Sequence, residues 1–413
     1  MKTSSKPLTG LRVVALEQAV AAPLCTRHLA ELGADVVKVE RPVGGDFARA
    51  YDNVMGDTST HFAWLNRGKR SLAVDLKHSE GKKVFLCLVA EADVLVSNLS
   101  PGAAERLLSD AELAEANPRL LHCSISGYGT SGPLRNRKAF DLLVQGETGA
   151  TMNTGLPGQP AKPGVSMADL ATGLYALASI LAERLGDCST HGYRHVEIAM
   201  FDVMAEWMMP LLLAQMEEGR VTPPAGLHHT SIAPYGAFLT GGDEYVNIAV
   251  QHEKHWLVLC EDVLHDSSLV SEPLFATNES RVENRELLAK RIEETTCTLS
   301  AEELGRRLDE AGIAWGRLND AEAMVDHPQL VSRDRWTDAV SPTGRPLRVL
   351  RSPLPDGNDE VRGKVPALGE HTDAVLSSLG YDRDAIAQLE EIGVVTTHRT
   401  TIDAHPGQEE ENQ

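Results

Sequence analysis

Leu11-Arg12-Val13-Val14-Ala15-Leu16 is a short, nearly continuous apolar run, and Ala34-Asp35-Val36-Val37-Lys38-Val39 is another. Between them lies a helical segment from about Pro23 to Leu32, stopped by Gly33. Apolar runs of this length, bounded by helix and turn signals, read as strands buried on both faces. The pattern recurs downstream: residues 80–91 read as helix, Val94–Val96 as strand, and Leu120–Ile125 as strand before the Gly127-Tyr128-Gly129 turn. Strands alternating with helices predict βαβ units and a parallel sheet covered on both faces, with ligands bound beyond the carboxyl ends of the strands.

The style changes further along the chain. Helices are expected to dominate from Asp169 to about Glu217, interrupted by a polar loop at 186–194, and Arg220–Gly226 reads as a linker around Pro223-Pro224. Beyond it, Ala237–Leu239 and Tyr245–Val250 flank the turn Thr240-Gly241-Gly242-Asp243, a hairpin signal. The expected organisation is α/β: a large Rossmann-like parallel-sheet domain over 1–219, a linker at 220–226 and a smaller α+β domain over 227–325. A second linker, 326–345, leads to a return into the large domain over 346–397, and a disordered acidic tail covers 398–413.

The 413 residues carry 59 acidic and 39 basic side chains, a net charge of −20, which argues against a nucleic-acid partner. The six cysteines are scattered without a C-x-x-C pair, and several lie in apolar runs, which read as small core residues in a reducing compartment. No apolar run reaches the length of a membrane span and no signal core follows Met1–Pro7, so a cytoplasmic protein is expected.

The turn after the first strand, Glu17-Gln18-Ala19-Val20-Ala21-Ala22-Pro23, has none of the glycines a dinucleotide fingerprint needs, although Glu40 ends the second strand as a ribose-binding acid would. His252 and His255 have helix-face spacing but no third ligand, so no metal is expected. Basic residues recur at expected loops: Arg41, Asn66-Arg67-Gly68-Lys69-Arg70, Arg106 and Arg135-Asn136-Arg137-Lys138, which together would suit a phosphorylated ligand over the strand ends. The run Pro163-Gly164-Val165-Ser166-Met167-Ala168-Asp169 delivers one carboxylate to a helix mouth. From there Leu170, Leu174, Leu177, Leu181 and Leu185 mark one helix face. Asp169 reads either as an N-cap or as a carboxylate nucleophile among small residues, and spacing alone leaves both open.

These runs, in this order, resemble the family III CoA-transferases (the CaiB/BaiF family). The resemblance is carried by Pro7-Leu8-x-Gly10-Leu11-Arg12-Val13-Val14, Leu32-Gly33-Ala34-Asp35-Val36-Val37-Lys38-Val39-Glu40-Arg41-Pro42 and Asn66-x-x-Lys69-Arg70-Ser71-x-x-Val74-Asp75. It continues through Asp93-Val94-Leu95-Val96-x-Asn98-x-x-Pro101-Gly102, Ser126-Gly127-Tyr128-Gly129-x-x-Gly132-Pro133, Pro163-Gly164-x-x-Met167-x-Asp169 and Leu368-Gly369-Glu370-His371-Thr372. It spans about Pro7 to Val395.

The resemblance implies that Asp169 is a nucleophile. Its carboxylate attacks the donor thioester to give an acyl–aspartyl anhydride, and the released CoA thiolate forms an aspartyl–CoA thioester. The acceptor carboxylate attacks that thioester, and CoA is returned to the new acyl group. The CoA contacts it implies are Gln18, Ala19, Val20, Ala21, Arg41, Val74, Asn98, Leu99, Arg106, Lys138 and Phe140. CoA and acyl-CoA are then substrates, and no permanently bound cofactor is expected. Val20 departs from the glutamine of some members. The racemase branch of the fold has a His-Asp pair after the Gly-Tyr-Gly segment, where this chain has Ala139-Phe140-Asp141, and phenylalanine cannot shuttle a proton. The run Lys162–Ala176 resembles members that use dicarboxylates such as succinyl-, glutaryl- or mesaconyl-CoA, with His228, His229 or Arg49 as candidates to face a distal carboxylate. An interlocked homodimer is also implied. The alternatives are a 2-methylacyl-CoA racemase of the same fold and a non-catalytic CoA-binding protein.

Overall fold

A computed structural model describes residues 6–103, 107, 109–186, 192–219, 221–354 and 363–398. The chain groups into two compact units, one of residues 1–148, 164–207 and 333–413, the other of 149–163 and 208–332. Arg106, residues 187–191 of the polar loop, Arg220 of the 220–226 linker, and 399–413 of the tail lie outside the described residues.

The first unit is built on a seven-stranded sheet whose first five strands in chain order run parallel: β1 (Arg12–Leu16), β2 (Asp35–Glu40), β3 (Arg70–Val74), β4 (Val94–Ser97) and β5 (Leu121–Ser126). They lie in the order β3-β2-β1-β4-β5, with Val13 opposite Val36 on one side and Val94 on the other. Chain order therefore reverses between β1 and β4, the kind of switch point at which open α/β sheets leave a crevice. Valines and leucines of β1–β3 pack with Val84, Phe85, Leu88 and Val89 of the Ser79–Ala90 helix, and the returning chain adds Val375, Leu376, Ile386 and Val394. Each such side chain contributes about 1.5–3 kcal/mol on burial. Thr372 stitches the return in place, its hydroxyl accepting from Ala73 N (3.2 Å) and donating to Thr396 O (2.9 Å).

Two sheet edges differ from the sequence reading. Arg194–Ala199, expected within a helical region, is a strand parallel to β5. It is an edge strand of mostly half-exposed residues, so it has no continuous apolar run to announce it. At the other edge Val395–Thr396 pairs antiparallel with β3, so the sheet is not wholly parallel. Arg70, read as loop, already begins β3.

The leucines of the Met167–Leu185 helix divide between core and surface: Leu177 is buried, whereas Leu174 is 45% exposed and Leu185 88%. The buried face is made of Ala168, Ala171, Thr172, Gly173, Ala176, Leu177 and Ile180, and it packs on the Ala21–Glu31 helix. A Cβ on Gly173 would lie 2.6 Å from Ala21 O, so small residues decide how closely the two backbones approach.

The second unit has its own core. Antiparallel strands Tyr235–Leu239, Tyr245–Ala249 and Ala314–Arg317 carry Phe238, Val246 and Ile248 against Trp256, Leu259, Leu288, Ile292 and Leu304 of its helices. The turn 240–243 closes the expected hairpin, with Asp243 at φ +58°. Among the described residues no helix is long and apolar enough to cross a membrane.

Candidate active site

Ser166 precedes the Met167–Leu185 helix but makes no side-chain cap. The cap comes from elsewhere in the chain. Asp141 Oδ1 accepts from Ala168 N (2.8 Å) and Asp169 N (3.3 Å), and its Oδ2 takes Gln145 Nε2 (2.7 Å). Asp169 is therefore the third helical residue and not the N-cap, which removes the capping reading of that residue. Its carboxyl is half-buried, and burial followed by the like charge of Asp141 pushes its pKa up to about 7. A carboxylate so placed is more basic, and hence more nucleophilic, than an exposed one. Next to it, Leu170 packs against the cluster of Val20, Leu24 and Leu65, on which Ala19 also packs, and this seats the first helical turn on the chain that follows β1. Tyr51 shares this neighbourhood: burial, then the charges of Asp46 and Asp169, push its hydroxyl up to about 12. Neither the Asp141 cap nor Tyr51 was found from sequence, because both depend on contacts between distant segments.

The residues expected to touch CoA follow the carboxyl ends of the five parallel strands. Gln18–Ala21 follow β1, Arg41 follows β2, Val74 ends β3, Asn98 and Leu99 follow β4, and Lys138 and Phe140 follow the turn after β5. Their side chains differ in availability. Val20, Ala21 and Val74 are buried, Val74 within the main core, and Leu99 packs on that core. Asn98 spans the switch point with its amide, taking Gln18 N and giving to Gln18 O, both at 2.8 Å. Arg41, Lys138 and Phe140 are exposed, and Arg41 folds over its own loop onto Gly45 O at 2.9 Å.

The basic cluster read from sequence divides in two. Arg67 and Lys69 are buried and paired, Arg67 with Glu31 at 2.5 Å and Lys69 with Glu17 at 2.7 Å, so they serve the interior and not an anion site. Arg49, a candidate for a distal carboxylate, is held by both oxygens of Glu40 at 2.8 Å, and the charge of Arg49 helps hold the buried Glu40 carboxyl at about 2 despite its burial. In the second unit His228 lies edge-on to Phe238, and His229 stacks on Tyr235. His252 caps the Glu253–Val258 helix, accepting from His255 N.

A separate polar cluster went unnoticed in the sequence. His122 on β5 and His195 on the neighbouring strand stack with centroids 4.5 Å apart and planes 8° from parallel. Their Nδ1 atoms face Asp110 at 3.6 and 3.0 Å, and their Nε2 atoms face Ser97 and Ser124. Lone pairs of parallel stacked rings do not converge on one point, so this is a hydrogen-bonded network and not a formed metal cage.

A mostly parallel sheet with a switch point, and a carboxyl of raised pKa at a helix start, give an α/β protein equipped for carboxylate chemistry. Residues 8–372 match the model of CoA-transferase family III. The chain is 32% identical over 390 residues to the succinate–glutarate CoA-transferase of Agrobacterium fabrum, covering 92% of this chain and 97% of that one. It is 31% identical to the human succinyl-CoA:glutarate CoA-transferase, covering 96% and 91%. A solved CaiB/BaiF family protein from Brucella suis superposes with a TM-score of 0.79 at 33% identity, covering 91% of this chain and all of that one. The chain belongs to CoA-transferase family III, and it is a transferase of CoA.

Proposed function

We propose that this enzyme moves CoA from an acyl-CoA donor to a dicarboxylate acceptor by covalent catalysis on Asp169. The observation that carries the reading is the Asp169 carboxyl, half-buried in the first turn of its helix and raised to about 7 by burial and Asp141. In this mechanism the Asp169 carboxylate attacks the donor thioester carbonyl, forming an acyl–aspartyl anhydride and releasing CoA thiolate. Thiolate attack on the aspartyl carbonyl gives the aspartyl–CoA thioester and frees the donor acid. Acceptor attack and a second thiolate attack then regenerate the carboxylate, so thioester energy stays in covalent form. Gln18–Ala21, Arg41, Val74, Asn98, Leu99, Arg106, Lys138 and Phe140 are the proposed CoA contacts. Arg41 and Lys138 supply exposed positive charge beside the strand ends.

A dicarboxylate acceptor is supported by the relatives, named for succinate and glutarate in Agrobacterium fabrum and for mesaconate in Haloarcula hispanica. A homodimer is supported by apolar side chains left uncovered in the isolated chain. In the first unit these include Leu142, Leu143 and Leu174, and in the second Leu212, Leu213 and Met216. The division of the chain into a sheet domain with a C-terminal return, and a smaller domain near 227–325, belongs to the same proposal. Succinyl-CoA incubated with a panel of acids tests the function: glutarate, mesaconate or another dicarboxylate should accept CoA faster than monocarboxylates. Preference for monocarboxylates would remove the acceptor assignment, and C2 deuterium exchange of 2-methylacyl-CoA in D₂O without acid-to-acid transfer would remove the transferase mechanism.

A further inference from the structure

Ala19, in the turn after β1, has φ +63°, a left-handed conformation that costs an alanine energy and persists only where its surroundings impose it. What imposes it is visible. Ala19 N donates to Asp46 Oδ1 (3.1 Å), and the same oxygen takes Ala48 N (2.9 Å). The other oxygen of Asp46 receives Lys38 Nζ at 2.8 Å. Lys38 also reaches Glu17 Oε1 (3.3 Å), and Lys69 donates to that same Glu17 oxygen (2.7 Å). All four of these charged side chains have no solvent exposure, and two acids face two amines, so the buried group is neutral as a whole. Burial alone would drive the Lys38 pKa down, but the charges of Glu17, Asp46 and Glu40 hold it above the ordinary range.

We infer that Asp46, fixed by Lys38, is a positioning residue that clamps the Gln18–Ala21 turn in the conformation CoA transfer requires. Buried ion groups are poor sources of stability, since well-packed apolar residues of the same size often serve as well. This one has a geometric product: its Oδ1 is the acceptor that holds Ala19 in its strained conformation, while Asn98 holds Gln18 from the opposite side of the switch point. The turn so held packs on Leu170, beside Asp169. The inference rests on that turn touching the acyl-CoA and on Asp169 carrying the acyl group.

The test compares Asp46→Ala, the charge-balanced double variant Lys38→Met/Asp46→Ala, and each of these with Ala19→Gly added. The double variant leaves Glu17 paired with Lys69 and so guards against misfolding from an unpaired buried lysine. Transfer is measured with succinyl-CoA and glutarate, or with the pair that a donor–acceptor screen returns if the wild type does not use that one. Loss of the clamp should lower kcat at least about tenfold in the folded double variant. Glycine at 19, which enters the left-handed region without strain, should restore at least about threefold of that loss. A double variant whose kcat stays within about threefold of wild type overturns the inference. So does a loss that glycine at 19 leaves untouched, since that would mark a merely structural role. Asp169→Ala assayed alongside separates the two readings: retained transfer there removes the nucleophile, whereas an unimpaired double variant removes only the clamp.

Discussion

The chemistry of Asp169 depends on what its neighbours do to one proton. Burial and the charge of Asp141 hold its pKa near 7, so the carboxylate that the proposed mechanism requires fills in as pH rises through neutrality. The acid limb of kcat/KM should therefore lie near pH 7, and Asp141→Asn, which keeps an oxygen to cap the helix but loses the charge, should move it down by about one unit. An unmoved limb in a pH–rate profile would detach Asp141 from the nucleophile. Stability responds in the opposite sense. Because the folded state holds this proton more tightly than the unfolded chain, the penalty grows as pH rises from about 4 to about 7. Asp169→Asn should be inactive yet more stable than wild type at pH 8, by about 2 kcal/mol once screening at the half-open site is allowed for, with the gain gone at pH 4. Denaturant melts at the two pH values check it; a variant less stable than wild type at pH 8 would contradict the assignment. Asp169 itself was legible in the sequence, as a lone carboxylate in a small-residue run at a helix start. Asp141 was not legible as its cap, because the two lie 28 residues apart and only the tertiary fold brings them together.

The Met167–Leu185 helix teaches a limit of periodicity. Its leucine spacing marks a helix, but a stripe does not say what covers it: Leu177 is buried while Leu174 and Leu185 are exposed. Packing on the Ala21–Glu31 helix is set instead by alanines and Gly173, whose value is the absence of a side chain. Gly→Ala within a helix ordinarily gains up to about 1 kcal/mol, but here the added carbon meets backbone at 2.6 Å and Leu24 at 3.2 Å. Gly173→Ala should instead cost about 2 kcal/mol and lower transfer several-fold by moving the Asp169 turn. A variant as stable as wild type in thermal denaturation, with full activity, would show that this close approach is not needed. The strands β1, β2, β4 and β5 were legible because both faces are buried. The Arg194–Ala199 edge strand was not, for the converse reason.

At the scale of the molecule, the first third of the chain announces its sheet, and the C-terminal segment closes it through Val395–Thr396 on β3. The family motifs were readable over nearly the whole chain, whereas the pairing of Arg67 and Lys69 with buried acids was not, since a basic run looks the same whether it faces water or Glu17 and Glu31. The uncovered apolar side chains are the support for the proposed dimer. Leu213→Arg/Met216→Arg should shift the species in sedimentation equilibrium from dimer to monomer, and a wild type that sediments as a monomer would refute the dimer. The central claim is that CoA transfer passes through Asp169, and the most direct measurement is peptide mass mapping of enzyme mixed with succinyl-CoA and no acceptor. The peptide containing Asp169 should gain the mass of a succinyl or CoA group, discharged on adding acceptor and absent from Asp169→Ala. Turnover with no adduct on that peptide, or the same adduct and full transfer in Asp169→Ala, would contradict it.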